Sequence, residues 1–382
     1  MSITMSINFK NYAKYYNLVI ICSLAFNFMA CDDKKDAPTG TNFDRKVMLQ
    51  NYADNLIVPA FVDLQTKTNA LQVAINNFTQ SSDSKNLLTA QTAWETAYIS
   101  WQSANAYNFG AAGEDGIRKT LVEEIATFPV SIDKIENNIT ANNNTLTDFS
   151  RDNRGFLALD YLLFDLENDN TKILKNFSSQ NRKNYLLAVS NKIKIQVDAV
   201  VSSWNGSYKA DFINNSGKES GSSTSNLYNE FIKSYESIKN YKLSLPLGTR
   251  PGQIKNEPTK VEAYYSGKSL SMMREHFMSI ENIWYGKGKN GTNTLSNIGF
   301  KQYLENVEGG KALVTSTETQ LAVVKKALAA LPESPRLSQQ LDTNKTAVEN
   351  LNTEMQKLTR FFKSDMSSLL GISITFMSSD GD

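Results

Sequence analysis

The amino-acid sequence predicts an all-α fold, with the helices packed as two bundles and a short extended tail at the C-terminus. Apolar residues recur at helical spacing along most of the chain, and stretches rich in Gly, Pro, Asn and Ser separate these segments. Only the final segment, GISITFMSSDGD at residues 371–382, alternates as a strand does. The chain has 382 residues, a length that suggests two domains rather than one.

Each predicted helix rests on apolar residues near i, i+4 and i+7 spacing. Pro59 predicts a kink in the first helix, and Ser269 is the expected N-cap of a later one. The predicted helices span residues 43–78, 87–104, 121–128, 154–166, 185–204, 227–241, 270–284, 300–307, 313–331 and 337–362.

Polar segments divide these helices. Residues 136–148 are rich in asparagine and are predicted to form a loop, and residues 205–226 are predicted to be a long surface excursion. Residues 243–258, LSLPLGTRPGQIKNEP, are rich in proline and glycine, as expected of a domain junction. We therefore expect an N-terminal helical bundle domain at residues 42–245 and a C-terminal one at residues 246–382.

The N-terminus has the pattern of a bacterial lipoprotein signal peptide. Two lysines precede the apolar stretch 15–30, which is short for a membrane span of about 20 residues. The stretch ends in FMAC, where a small residue precedes Cys31 as in a lipobox. We expect residues 1–30 to be the signal peptide, Cys31 to be lipidated and residues 31–41 to form a tether. The alternative is an ordinary secretory signal that is cut nearby.

Cysteine and charge composition exclude several classes of function. Cys22 lies within the predicted signal peptide and Cys31 would carry the lipid, so the mature chain has no free thiol for disulfides, catalysis or zinc. The 40 Lys and Arg residues almost balance the 39 Asp and Glu residues, with no basic block. A nucleic-acid partner is therefore not expected.

The single histidine, His276, limits the possible catalytic and metal sites. An HExxH motif needs two histidines, and the chain has no GxSxG or Walker-type motif. The sequence GKGKNG at residues 286–291 has GxGxxG spacing but lacks the preceding strand of a dinucleotide site. We expect His276 to be a partly exposed helix residue among core methionines, and a soft copper site is the alternative. The remaining candidate metal ligands are carboxylates, which together with tyrosines could hold a hard cation or Fe³⁺.

Asp160 stands out among the carboxylates because its helical neighbours are apolar. It lies in RGFLALDYLLFD, residues 154–165, next to Leu157, Tyr161 and Phe164 on the predicted helix. A buried carboxylate must find a hydrogen-bond or charge partner, or take up a proton. The two interpretations are a weak metal site and a structural residue bonded to Arg or Tyr from the next helix.

Five segments, in order, resemble the imelysin-like proteins, also known as peptidase family M75. They are AWETAYISWQSANAYNFG, IATFPVSIDKIENNI, RGFLALDYLLF, KLSLPLGTRPG with VEAYYSGKSLSMMREHF, and LGISITFMSSDGD. The resemblance implies two four-helix-bundle-like domains, an envelope location and a groove between the domains. It also implies a link to iron or haem acquisition, and some family members are described as metallopeptidases.

The family signature GxHxxE is degenerate in this chain. Gly155 matches its glycine, Leu157 stands at the histidine position, and Asp160 stands at the glutamate position. Glu262, Ser266 and Ser269 fit the second motif of the family. The candidates for lining the groove are Asp160, Glu262, Ser266, Ser269, Arg250 and Glu95.

These observations favour a non-catalytic, ligand-binding lipoprotein of the outer membrane, on its periplasmic face or at the cell surface. Its cofactor or ligand would be iron or haem, and its partners would be the membrane and envelope uptake proteins. The alternatives are a metal-dependent peptidase of the M75 type and a module that docks a protein or a glycan.

Overall fold

The computed structural model describes residues 43–113, 120–288 and 297–376. Within these ranges the chain is helical and has no β-strand, which confirms the predicted all-α class. No helix of the described part is long and apolar enough to span a membrane. The predicted signal peptide, Cys31 and the tether lie outside the described residues, and the statements about them stay predictions.

The helices alternate short connections with longer ones, the longest lying between Leu247 and Ser269. A π-helical stretch, Tyr52–Ile57, joins the first two helices, and Pro59 lies in the first turn of the second, where a kink is predicted. The helices are α1 Arg45–Asn51, α2 Val58–Gln80, α3 Ser84–Ala104, α4 Leu121–Ala126, α5 Ile132–Thr140, α6 Phe156–Leu163, α7 Asn170–Asn176, α8 Gln180–Asn205, α9 Tyr208–Asn214, α10 Ser223–Ser237, α11 Leu245–Leu247, α12 Ser269–Tyr285, α13 Phe300–Glu305, α14 Gly310–Ala329, α15 Leu337–Thr343, α16 Lys345–Arg360 and α17 Met366–Leu370.

Two groups of helices bury the apolar faces that the sequence predicts. In the first group, α2 packs against both α3 and α8, while α6 lies against α3 and α8. In the second group, α10 packs against α12 and α16, and α14 runs beside α16. Helix α3 also packs directly against α12, so the two groups share a buried boundary. All four tryptophans are buried in this core.

The predicted division at residue 245 stays a prediction. The described residues from Phe43 onward belong to one compact unit. Helix α10 and the π-helical stretch that follows it, Ile238–Ser244, precede the predicted junction in sequence but pack against α12 and α16.

The prediction that residues 205–226 form a surface excursion is correct only in part, since most of residues 205–221 are exposed or half-buried. This segment contains α9, and Phe212 is buried, with its ring stacked on Phe109 at 5.6 Å between centroids. Trp204 packs edge-on against Phe212 at 5.3 Å. One buried aromatic residue therefore anchors a segment whose composition is otherwise polar.

Two element boundaries also differ from the prediction. Residues 136–140 belong to α5, so the asparagine-rich loop starts later than predicted. Ser269 is the first residue of α12 rather than its N-cap, a position that Lys268 occupies. The Ser269 hydroxyl instead donates to the main-chain oxygen of Glu262, which closes the preceding loop.

The described part of the C-terminal tail, residues 371–376, forms neither a helix nor a strand and is held by a side chain; residues 377–382 lie outside the described residues. The side-chain amide of Asn229 donates to the Ser373 carbonyl at 3.1 Å and accepts from the Thr375 amide at 2.8 Å. Ile372 is buried beside it. The carboxamide thus supplies the two hydrogen bonds that a neighbouring strand would otherwise make.

We expect Asn229→Ala to lower the free energy of unfolding by about 1–3 kcal/mol, because it removes the two partly buried hydrogen bonds that hold the tail. Urea unfolding measures the loss, and hydrogen exchange at the Thr375 amide should become faster. Asn226→Ala, on the same helix but partly exposed, is the matched control. Unchanged exchange at Thr375 would contradict the proposed anchoring.

Candidate functional site

The signature helix α6 begins where only glycine fits. Gly155 precedes α6 with a φ of +85°, and a Cβ at this position would lie 2.4 Å from the carbonyl oxygen of Ile125. An L-residue is strained at this φ, and the nearby backbone leaves no room for a side chain. The glycine of the signature therefore has a packing role that is independent of any ligand.

Helix α3 holds both ends of α6. The indole nitrogen of Trp94 donates to the Phe156 carbonyl at 2.8 Å, and the amide of Gln91 donates to the Leu163 carbonyl at 2.7 Å. Leu157, at the histidine position of the signature, is only 4% exposed and belongs to the apolar core. The position of the family's imidazole is thus filled by a packed hydrocarbon side chain.

Asp160 finds its partners in the main chain of the loop before α12. Its two carboxylate oxygens accept from the amides of Tyr265 and Ser266, each at 3.0 Å. The carboxylate is 2% exposed. The expected Arg or Tyr side chain is therefore not the hydrogen-bond partner, although Arg336 binds the Tyr265 carbonyl at 2.9 Å and lies close enough to act through its charge.

Burial raises the pKa of Asp160 to about 6, and the hydrogen bonds from Ser266 and Tyr265 act in the opposite direction. The carboxylate is thus mostly ionised at neutral pH, when it serves as an acceptor for two amides. Both oxygens are used in joining α6 to the loop.

The second motif forms the loop that Asp160 holds. The Ser266 hydroxyl donates to the Ala263 carbonyl at 3.3 Å, and Ala263 itself has a φ of +52°. Glu95 approaches the same loop from α3 through an ion pair with Lys268 at 2.8 Å. Asp160, Ser266, Ser269, Glu262 and Glu95 are therefore brought to one loop, largely through main-chain contacts.

Arg250 lies apart from this loop. Its guanidinium carbon is 4.8 Å from the centre of the Tyr241 ring, and its main-chain amide is bonded to the Gln253 side chain at 3.2 Å. It makes a cation–π contact with an exposed tyrosine.

Glu262 points away from Asp160 into a buried polar network. Its Oε1 accepts from the Tyr98 hydroxyl at 2.6 Å, and its Oε2 lies 2.9 Å from Lys242 Nζ. Lys242 also donates to Gln102 Oε1 at 2.7 Å. Burial lowers the pKa of Lys242 while the Glu262 charge opposes the change, and burial together with Glu262 raises the pKa of Tyr98 well above its ordinary value.

His276 is completely buried, so the prediction of partial exposure was wrong. Its Nε2 lies 2.7 Å from the hydroxyl oxygen of Ser234, on α10. Burial, assisted by the nearby Lys242 charge, lowers the pKa of His276 well below its ordinary value. The imidazole is therefore neutral at physiological pH. Across the described ranges, no group of three or more His, Cys, Asp or Glu side chains is arranged to hold a metal ion.

A cleft of about 580 Å³ opens over this network. One wall comes from α3, α4 and the residues after α4, and the other comes from α10 and the π-helical stretch after it. Glu262, Lys242 and Ser234 are among its lining residues. A second cavity, of about 450 Å³, lies beside α2 and α12 and is lined by Asp54, Asn282 and others.

Sequence reasoning missed the partners of Glu262. Tyr98, Gln102 and Lys242 sit in helical segments with no recognisable motif, and their side chains meet only because α3 packs near the π-helical stretch. The one available signal was a lysine on an otherwise apolar segment, NYKLSLPL, since a buried ammonium requires an acidic partner.

We expect Asp160 to make wild-type stability pH-dependent. Between about pH 4 and pH 6 the carboxyl of Asp160 holds a proton in the folded protein that it has released in the unfolded chain. The stabilisation of the folded state by this protonation is therefore fully present below pH 4 and is lost as the pH rises to 6. Relative to Asp160→Asn, the free energy of unfolding should fall by about 3 kcal/mol across this range. Urea unfolding of both proteins at four pH values measures this, and a constant difference would contradict it.

Comparisons with known proteins identify relatives of the whole helical region. Iron-regulated protein A of Synechococcus elongatus is 21% identical over 326 residues, which cover 81% of this chain and 84% of that protein. The crystal structure of an iron-regulated protein A precursor from Parabacteroides distasonis superposes with a TM-score of 0.68 at 17% identity, covering 85% of this chain and 95% of its own.

A second crystal structure, of an imelysin-like protein from Psychrobacter arcticum, superposes with a TM-score of 0.66 at 19% identity, covering 87% of this chain and 97% of its own. At these identities the likeness shows a shared fold. The family model described as imelysin, peptidase M75, matches residues 57–361, most of the chain, and the protein therefore belongs to the imelysin family.

Proposed function

We propose that the protein is a non-catalytic, ligand-binding lipoprotein of the cell envelope that serves iron or haem uptake. The observation that carries this proposal is the state of the signature helix. Leu157 fills the histidine position with hydrocarbon, and both oxygens of Asp160 are bound to main-chain amides. The relative from Synechococcus elongatus is named iron-regulated protein A, which supports the iron-related part of the proposal.

The residues of the signature helix do not fit a resident metal ion. Transition-metal sites use several converging nitrogen, sulfur or carboxylate donors. Here the position that would supply imidazole is apolar, and the carboxylate would have to give up two amide partners to bind a cation. We therefore derive no catalytic step through a metal at this site.

The cleft above Glu262 is the better candidate for ligand binding. Its volume of about 580 Å³ is within the range of pockets that hold drug-sized molecules, and it combines apolar walls with a few buried polar groups. Glu262, Lys242 and Ser234 reach it from three different segments of the chain.

An outer-membrane location is proposed from the sequence alone. The basic residues, apolar stretch and FMAC sequence at the N-terminus support lipidation at Cys31, and the acidic residues that follow support a solvated tether. Envelope uptake proteins are the proposed partners, and the occupied face of the membrane is the periplasmic side or the cell surface.

A metallopeptidase is the second candidate, favoured by the description of the family as peptidase M75. The two functions differ in their dependence on Asp160. Cleavage of casein that is sensitive to chelators and is lost in Asp160→Asn would favour the peptidase.

We expect a strain that lacks this protein to grow poorly when iron is limited by 2,2′-bipyridyl, because ligand uptake through the cleft is lost. Complementation with wild type should restore growth, whereas Ser237→Trp, which fills the cleft, should not. Asn282→Trp, in the second cavity, is the matched control and should restore growth. Normal growth of the deletion strain would contradict the iron-related function.

We expect Cys31→Ala to move the protein from the membrane fraction to the soluble fraction, because it removes the proposed lipid attachment site. Immunoblotting of fractionated cells measures the distribution. Cys22→Ala, within the proposed signal peptide, should leave the protein in the membrane fraction. Membrane retention of Cys31→Ala would rule out lipidation at this residue.

A further inference from the structure

Of the charged side chains that line the cleft, all but the solvent-exposed Glu123 form an ion pair with another described residue. Glu262 pairs with Lys242 at 2.9 Å, Glu236 pairs with Lys363 at 2.9 Å, and Glu230 pairs with Lys233. Removing one member of a buried ion pair is strongly destabilising, because it leaves an uncompensated charge. A ligand with a formal charge would compete with these pairs, so the cleft favours a neutral ligand.

Two buried polar atoms beside Lys242 have no hydrogen-bond partner among the described residues; Glu262 lines the cleft, whereas Gln102 is fully buried and is not one of the lining residues. One is the donor Gln102 Nε2, and the other is the acceptor Glu262 Oε2, which lies near Lys242 Nζ but outside hydrogen-bond geometry. The orientation of the Gln102 amide is fixed, because its Oε1 accepts from Lys242. Buried polar groups of this kind are normally satisfied by water or by a ligand.

One of these atoms is a hydrogen-bond donor and the other an acceptor, and this combination limits the functional groups that can bind both. A carboxylate cannot donate to Glu262, and an ammonium cannot accept from Gln102. A hydroxyl group can do both, since it has one donor hydrogen and two acceptor lone pairs. Hydroxyl side chains elsewhere in the cleft, Thr120, Thr127 and Ser237, offer the same dual chemistry.

Aromatic rings on opposite walls of the cleft favour a flat or ring-shaped ligand. Phe128, after α4, lines one wall, and Tyr241, on the π-helical stretch, lines the other. Tyr241 is 41% exposed, and Arg250 lies over its ring. These rings supply apolar contact area for the faces of a ligand whose edge carries the polar groups.

We infer that the cleft binds a neutral ring compound with neighbouring hydroxyl groups, of the sugar or catechol type, and that one hydroxyl enters between Gln102 and Glu262. The inference rests on the proposed function, because it takes the cleft as the ligand site. Catechols also chelate Fe³⁺, so a catechol ligand would connect the cleft with iron.

The test is calorimetric titration of the purified mature protein with five probes. Catechol and the disaccharides maltose and cellobiose represent the two sources of neighbouring hydroxyl groups, while benzoate and benzylamine are the charged controls. We expect binding of catechol or of a disaccharide, and at least tenfold weaker binding of both charged compounds. Binding of catechol alone or of a disaccharide alone supports the inference and identifies the source.

Two variants locate the bound hydroxyl. Gln102→Met removes the donor while keeping the Lys242–Glu262 pair, and should weaken binding about tenfold, the effect of losing one hydrogen bond. Ser237→Trp should abolish binding, and Asn282→Trp should leave it unchanged. Circular dichroism confirms that each variant is folded.

Three results would overturn the inference. They are no binding of any hydroxyl probe, binding of benzoate or benzylamine as tight as that of catechol, and an unchanged affinity in Gln102→Met. None of these results bears on the growth phenotype under iron limitation, which tests the proposed function separately. Conversely, normal growth of the deletion strain removes the iron-related function without affecting the titrations.

Discussion

The carboxylate of Asp160 joins the signature helix α6 to the loop before α12. It lies on α6, more than 100 residues before the loop it binds, and accepts one hydrogen bond from each of two successive amides. Because these amides and the carboxylate are buried, removing either side would leave polar groups unsatisfied. The Ser269 hydroxyl, at the start of α12, closes the same loop through the Glu262 carbonyl.

The position of Glu262 determines what the cleft offers to a ligand. Its carboxylate turns toward α3, where Tyr98 and Lys242 compensate its charge. A buried pair of this kind contributes little net stability, since desolvation offsets much of the attraction. Its consequence is chemical: the charges of Glu262 and Lys242 compensate each other at the cleft wall, while the buried Gln102 amide beside them keeps an unused donor.

The sequence predicts the helical class well because helix-forming apolar periodicity is a local property. It predicts less about contacts that depend on tertiary packing. Phe212 in a polar segment docks against Phe109 and Trp204, which turns an expected excursion into a helix. Asp160 could be recognised as buried from its neighbours, but its main-chain partners lie 105 and 106 residues away. Lys242 and Gln102 had no motif that would have revealed them.

Gly155 and Asp160, the first and last residues of the signature, both have structural roles that do not need the imidazole. Gly155 is required by the approach of Ile125, and Asp160 is required by the amides of the loop, so neither constraint involves a metal. The histidine position alone faces no such demand, and an apolar residue there gains free energy from burial in the core. In this chain the signature therefore acts as an architectural element that positions Glu262. Under the proposed function the ligand binds instead at the cleft, where Glu262, Lys242 and Ser234 line the wall.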